Sequence, residues 1–374
     1  MRFGIIVILF VCYNHAVWGQ AEKSAIDYYN KGVEYSNAKN YDLAIASYST
    51  CLEKDPNYIK AYYNRGTCAL SLQKYDDAIA DFDKTLNIDP EFIKAYLYMG
   101  YTRLLQGDYD SSIEILTKTI EKDPALSKAY LHRGTAHMKS GNIDNAITDM
   151  TQAITMGEHT YAAFLNRAIC KNKIKDYAGA LSDFTAAANL KPDQYVTAFE
   201  KAKIYLKLQK YHESISELSY ALRKNPSDAD LYHYRGYAKL MLEDMSSALT
   251  DYNICLQINP SHVQGLKNKA LISSKMGKHD EAITDFSNLI KTDPKNAELF
   301  VLRGTSYLTS KEYEKALEDF TQAIHLKSDF AEAYFNRANT YTKLLDSKKA
   351  CTDIKQCIKL GYSPAQAHVG NLCN

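Results

Sequence analysis

The chain lacks the short motifs on which many enzymes rest. Gly-x-Ser-x-Gly, Gly-x-x-x-x-Gly-Lys-[Ser/Thr] and His-Glu-x-x-His are all missing, so no nucleophile elbow, phosphate cradle or zinc-activated water is recognisable. The histidines are scattered, and none recurs with a carboxylate partner. There is no Cys-x-x-Cys and no Cys/His set at metal-ligand spacing, so no metal and no other cofactor is expected, and the chain is not expected to be an enzyme. An excess of one charge is lacking too: the formal net charge is +1, and no Arg-rich run occurs. Nucleic acid is therefore not an expected partner, because neutralising phosphates takes clustered cations. Beyond the N-terminal segment no second long apolar run exists, and no integral membrane segment is expected in the mature chain. No Asn-x-Ser/Thr sequon with a permitted middle residue is present, which favours a bacterial envelope over an endoplasmic-reticulum lumen.

The N-terminal segment stands apart. Arg2 precedes an apolar run from Phe3 to Val11, and a short polar stretch leads to Val17-Trp18-Gly19. This pattern reads as a signal peptide over residues 1–19, cleaved after Gly19, with residues 20–24 as a lead-in. A membrane anchor would need about 20 apolar residues. The mature chain is expected to be exported, periplasmic or secreted, and lumenal if the source is eukaryotic. Removing the leader removes Arg2 and leaves acids and bases in balance.

What is present is a period. Seven of the eight prolines (Pro56, Pro90, Pro124, Pro192, Pro226, Pro260 and Pro294) fall on one 34-residue grid, with Glu158 in the vacant slot. Setting each grid proline at position 32 divides residues 25–364 into ten units without insertion: 25–58, 59–92, 93–126, 127–160, 161–194, 195–228, 229–262, 263–296, 297–330 and 331–364. Position 8 is Gly or Ala throughout, from Gly32 to Ala338, and position 20 is Ala or Ser, from Ala44 to Ala350. Position 4 is mostly aromatic and position 24 large and apolar. Each unit carries two apolar runs of helical period, split by a polar break near position 15. Small residues at 8 and 20 allow two helices to approach closely, and proline cannot continue a helix interior.

These residues resemble the tetratricopeptide repeat (TPR) pattern. The resemblance covers residues 25–364, with Tyr or Phe in place of the family's Trp at position 4 and Arg or Lys in place of its Leu at position 7. It implies an all-α fold, a right-handed superhelical solenoid of about ten helix-turn-helix units, with a capping helix at 365–374.

A correlation within the chain adds a structural expectation. Position 7 is basic and position 23 acidic in eight units: Arg65/Asp81, Arg133/Asp149, Arg167/Asp183, Lys201/Glu217, Arg235/Asp251, Lys269/Asp285, Arg303/Asp319 and Arg337/Asp353. In the third unit both turn apolar together, as Met99 and Ile115. The two positions are equidistant from the break at 15, so an ion pair across the hairpin is expected in these eight units. Recurrence on every rung favours a structural role over acid/base chemistry.

Cys51, Cys255 and Cys357 share position 27, and Cys68 and Cys170 share position 10. All five read as small buried hydrophobes. Ser363 and Pro364 read as the N-cap and first residue of the terminal helix. Cys351 and Cys373 lie symmetrically about residue 362, which permits a disulfide in an oxidising compartment and equally allows two separate thiols. This ending resembles the closing segment of exported TPR proteins of Bacteroidetes-type bacteria.

In TPR proteins the first helices line a concave face, and the resemblance places positions 2, 5, 6, 9, 12 and 13 there. That gives Tyr29, Asn30, Tyr63, Asn64, Tyr98, Tyr101, Asn166, Phe199, His233, Tyr237, Asn268, Asn336 and Asn339 as candidate groove residues, with Lys94, Lys128, Thr135, Lys203 and Lys267 beside them. The recurring amide at position 6 is similar to the asparagine ladder of O-linked N-acetylglucosamine transferases; an amide both donates to and accepts from a peptide backbone. Hydrogen bonding within the scaffold is the competing reading of the same amides. The two-carboxylate clamp of chaperone adaptors is missing, since Lys267 is followed by Leu271 where Asn is needed, and no His-Pro-Asp marks a J domain. The expected function is a non-enzymatic protein–protein interaction scaffold that binds an extended peptide or partner helix in this groove. The alternatives are an envelope assembly factor working through its convex or terminal surfaces, and a polysaccharide or peptidoglycan binder using groove tyrosines.

Overall fold

The computed structural model describes residues 23–373, so the expected signal peptide lies outside the described residues. The chain divides into two compact units, Met1–Asp176 and Tyr177–Asn374. The first contains α1 (Ala25–Asn37), α2 (Tyr41–Lys54), α3 (Ile59–Ser71), α4 (Tyr75–Ile88), α5 (Ile93–Gln106), α6 (Tyr109–Lys122), α7 (Ser127–Ser140), α8 (Ile143–Thr155) and α9 (Tyr161–Lys173). The second contains α10 (Tyr177–Leu190), α11 (Val196–Lys207), α12 (Tyr211–Lys224), α13 (Ala229–Met241), α14 (Met245–Ile258), α15 (Val263–Lys275), α16 (His279–Thr292), α17 (Ala297–Thr309), α18 (Tyr313–Leu326), α19 (Ala331–Lys343) and α20 (Ser347–Lys359). Odd-numbered helices are the first (A) and even-numbered the second (B) of each hairpin. Within each unit of the chain a B helix packs on the A helix before it and the A helix after it, and successive A helices touch in both units. No strand occurs among the described residues.

The hairpin closes because its crossing point holds almost no side chain. Position 20 is fully buried in all ten repeats. Where it is serine, the hydroxyl donates to the carbonyl of position 8: Ser112 to Gly100 at 2.8 Å and Ser214 to Ala202 at 3.1 Å. A buried hydroxyl is thereby satisfied without widening the contact. Above position 8 lies the large residue of position 24, from Tyr48 through Phe82 and Tyr252 to Phe320, each at most 1% exposed. A Cβ on Gly32 would come within 2.5 Å of the Tyr48 ring, and one on Gly304 within 2.8 Å of the Phe320 ring.

Every hairpin turns through the left-handed region at position 15. Gly107, Gly141 and Gly277 do so at φ 78–93°, and Lys39, Gln73, Lys175, Gln209, Glu243, Lys311 and Leu345 at φ 58–67°. The second helix ends in one of two ways. Before four of the grid prolines, the side chain at position 31 accepts a backbone N–H from two residues on, as Asp55 does from Asn57 and Asp89 from Glu91, both at 3.0 Å. Of the three repeats that lack the proline, 4 and 10 end on left-handed Gly157 and Gly361, and 9 keeps an extended residue, Lys327.

The terminal cap differs from expectation. A 3₁₀ turn spans Ser363–His368 and a single α turn, α21, spans Val369–Leu372. Tyr362, not Ser363, occupies the cap position, and no side chain caps it. The bond from Ala365 N–H to the Tyr362 carbonyl tightens the first turn into 3₁₀ geometry, with Pro364 contributing no donor of its own. Ala365 is fully buried and seals the apolar end of the last hairpin with Ala338, Ile354 and Cys357.

Candidate functional site

The charged rungs come first, because they decide which polar groups remain for a ligand. Arg65, Arg133, Arg235, Arg303 and Arg337 each grip the facing aspartate with two parallel bonds of 2.7–2.9 Å, to Asp81, Asp149, Asp251, Asp319 and Asp353. Lys269 reaches Asp285 at 2.6 Å, and Lys201 pairs with Glu217. Arg167 belongs to the first unit and Asp183, buried, to the second. The third donor of each arginine reaches back to a hydroxyl at position 25 of the preceding repeat: Ser49, Thr117, Thr151, Ser219, Ser287 and Thr321, at 2.8–3.3 Å. These rungs lock repeats in register. Hydrogen bonding to Asp81 and Asp319 holds Arg65 and Arg303 above the usual guanidinium range, while burial pushes those two carboxyls up against the arginines' pull.

On the A-helix face of the first unit lie two neighbouring depressions. One, of about 560 Å³, is lined by Tyr63, Ile93, Lys94, Leu97, Tyr98, Asp123, Leu126, Ser127 and Lys128. The other, of about 450 Å³, is lined by Tyr101, Leu104, Leu105, Tyr109, Leu131, His132, Thr135, Lys139, Ala162 and Asn166. Tyr98 and Tyr101, one turn apart on α5, stand one in each. Tyr63 packs on Phe92 and Tyr98 at centroid distances of 5.0 and 6.0 Å, and burial pushes its phenol up to about 12. His132 stacks on Tyr101 at 4.4 Å, and burial pushes its imidazole down to about 4. The floor is therefore neutral, apolar and aromatic, with cations at its edge.

Several candidate groove residues serve the scaffold. Asn64 donates to the Tyr29 hydroxyl at 3.1 Å, Asn166 to Thr135 at 3.4 Å and Asn268 to the Tyr252 hydroxyl at 3.0 Å. Tyr29 itself packs against Tyr48 and Tyr58. In the second unit Phe199 meets Tyr234 edge-on beneath Lys203, and His233 is surrounded by Tyr234, Tyr252 and His262. Burial pushes His233 down to about 4. Tyr237 and Asn30 are exposed, and Asn336 and Asn339 partly buried. Among the described residues no group of three His, Cys, Asp or Glu side chains could hold a metal ion, and no helix is long and apolar enough to cross a membrane.

Models of the tetratricopeptide repeat match residues 25–58, 59–92, 94–125, 131–195, 199–262, 266–296 and 331–360, and a TPR repeat model matches 304–344. The chain belongs to the tetratricopeptide repeat family. Solved structures similar to it include a TPR protein from Parabacteroides merdae, 18% identical with a TM-score of 0.49, the match covering 66% of this chain and 99% of that one. YrrB, described as a TPR protein with an unusual peptide-binding site, is 23% identical with a TM-score of 0.45 over 49% of this chain and 95% of that one. MamA from Desulfovibrio magneticus is 19% identical with a TM-score of 0.44 over 45% and 96%. No curated protein matches the chain.

In this TPR protein the five cysteines of positions 10 and 27 are buried thiols, and burial pushes Cys170, Cys255 and Cys357 up to about 11. Cys351 and Cys373 are joined by a disulfide, with Cα atoms 5.0 Å apart. Sequence reasoning missed Leu97, Leu104, Leu131 and His132 as lining residues. His132 occupies position 6, the column of the repeating asparagines, so following that column through every repeat finds it. The hydroxyls of position 25 also have a column signal: Asp83 and Asn253 replace them before Met99 and Lys269, though Thr185 is kept before Lys201.

Proposed function

We propose that this TPR protein is a non-enzymatic scaffold that holds an extended segment of a partner protein along the A-helix face of its first unit. The observation that carries this reading is the pair of depressions lined by Tyr98 and Tyr101, one turn apart on α5. Their apolar floor can take bulky side chains, as small-ligand and peptide sites do. Sugar stacking is less well served, because Tyr29 and Tyr63 already lie against other rings. The scaffold role agrees with what the fold family generally does.

Export is part of the proposal. A leader over residues 1–19 would deliver the chain to a compartment where disulfides persist, and the Cys351–Cys373 bridge suits such a place. Sequencing the mature N-terminus tests this: cleavage after Gly19 is expected, and a retained N-terminus in the cytosolic fraction would refute it.

Groove binding is tested with a photo-crosslinking residue at Ala162, which is exposed and lines the second depression, and a control at the exposed Lys118 on α6. The expected result is capture at Ala162 of one linear partner segment, mapped by mass spectrometry. Capture at Lys118 alone would shift the function to the outer surface.

A further inference from the structure

Position 2 of the A helices in the first unit reads Lys60, Lys94 and Lys128, flanked by Ile26 and Ala162. Each is the second residue of its helix, α3, α5 or α7. None of these three helices has an acidic residue in its first turn or a side-chain cap. The helix dipole puts partial positive charge there and disfavours a cation. All three lysines are exposed, and none has a salt-bridge partner among the described residues. In the second unit the same column reads Val196, Asp230, Gln264, Glu298 and Glu332, with no cation. There the charges suit the dipole, and two are paired: Asp230 with His262 at 3.0 Å and Glu298 with Lys267 at 2.8 Å. The chain thus follows the local preference in one unit and reverses it three times, at constant stride, in the other. A repeated local violation with no local compensation marks a functional position. Lys94 and Lys128 also border the first depression, and Lys139 borders the second.

We infer that the lysine edge formed by Lys60, Lys94 and Lys128, beside the two aromatic depressions, selects an acidic extended segment of a partner protein. This rests on the proposed peptide-binding reading and narrows it. Asp123, the one carboxylate lining these depressions, is outnumbered by Lys94, Lys128 and Lys139, so the edge is net positive. Neighbouring packed helices lie roughly 8–10 Å apart, and an extended chain advances about 3.3 Å per residue. Successive lysines are therefore met by carboxylates about three residues apart, with the bulky side chains between them filling the depressions. The repulsion stored at three helix N-termini is relieved when the acidic segment arrives.

The test uses the full chain and a displayed library of random peptides of roughly twelve residues. The expected enrichment is Asp or Glu at about every third position with Leu, Phe or Tyr between. A synthetic peptide of that pattern should bind more weakly as salt rises from about 50 to about 300 mM. It should bind about tenfold more weakly to the triple variant Lys60→Glu/Lys94→Glu/Lys128→Glu. That variant should melt no lower than the parent, because glutamate suits a helix N-terminus, so lost binding cannot be blamed on lost folding. Enriched peptides without acidic bias, bound equally by the triple variant, would overturn the lysine-edge inference and leave the groove reading standing. Equal binding of an oligothymidylate would overturn it in favour of a general polyanion surface. If no peptide is enriched, both readings fall.

Discussion

Arg303 and Asp319 face each other across the α17–α18 hairpin in a two-bond grip of 2.9 and 2.7 Å, and the remaining arm of Arg303 reaches Ser287 of the preceding repeat at 3.0 Å. One side chain thus closes its own repeat and fastens it to its neighbour. Asp319 is 4% exposed, so removing its partner strands a carboxylate away from water. Arg303→Ala should destabilise the second unit by about 3 kcal/mol. Replacing both members by apolar residues, Arg303→Met with Asp319→Leu, should recover most of that loss. Ser287→Ala should cost about 1 kcal/mol. Urea titration followed by hydrogen exchange in α17 and α18 checks all three; a double variant no better than the single one would remove the ion pair from the account.

Leu345 turns through φ 62° with 89% of its surface exposed. A branched side chain in the left-handed region costs roughly 1–2 kcal/mol, part of which glycine returns as chain entropy. Leu345→Gly should therefore raise stability by up to about 1 kcal/mol, and Gly141→Leu should lower it by a similar amount. Thermal melts of the two variants should move in opposite directions.

The thiols should be silent in the native chain. Burial holds Cys170, Cys255 and Cys357 in the unreactive protonated form. Among the described residues, a thiol reagent should find no fast-reacting group in the folded protein and five after denaturation, from Cys51, Cys68, Cys170, Cys255 and Cys357. Reduction should add the Cys351 and Cys373 thiols and loosen the segment after Gly361. It should destabilise the terminal hairpin by about 3 kcal/mol, the scale set by closing a loop of 22 residues.

His132 supplies a pH dependence. Its ordinary value of 6.5 falls to about 4 in the folded chain because burial against Tyr101 penalises the imidazolium. Between those values the unfolded chain binds a proton that the folded chain refuses. Stability is intact above about pH 6.5 and declines as pH drops toward 4, by at most about 3 kcal/mol. His132→Phe keeps the stacking and should flatten this part of the stability-versus-pH curve relative to the parent. A curve of unchanged slope would show that His132 is hydrated in the folded state.

Much of the scaffold was legible beforehand, because its chemistry repeats. Gly32 and Tyr48 are small and large at a fixed spacing, and nine further copies of that relationship appear at the same stride. Arg303 and Asp319 could be paired because the covariation of positions 7 and 23 is written into the chain. The groove was less legible. Position in the repeat indicated that Asn64 and Asn268 share the A-helix face, but not that their amides are taken by Tyr29 and Tyr252. The capping segment was misjudged in detail, since Ser363 and Pro364 suit an α-helix start as well as a 3₁₀ turn.

Sequence alone determined the paired helices, their stride and the buried small-over-large contact, since periodicity, glycine and proline act through local sterics that each repeat restates. Tertiary structure alone decided where the third arm of each arginine goes, which amides are already satisfied, and which lysines border an open aromatic floor. Those outcomes depend on side chains from different repeats meeting in space, and no single 34-residue unit encodes its neighbour's contribution.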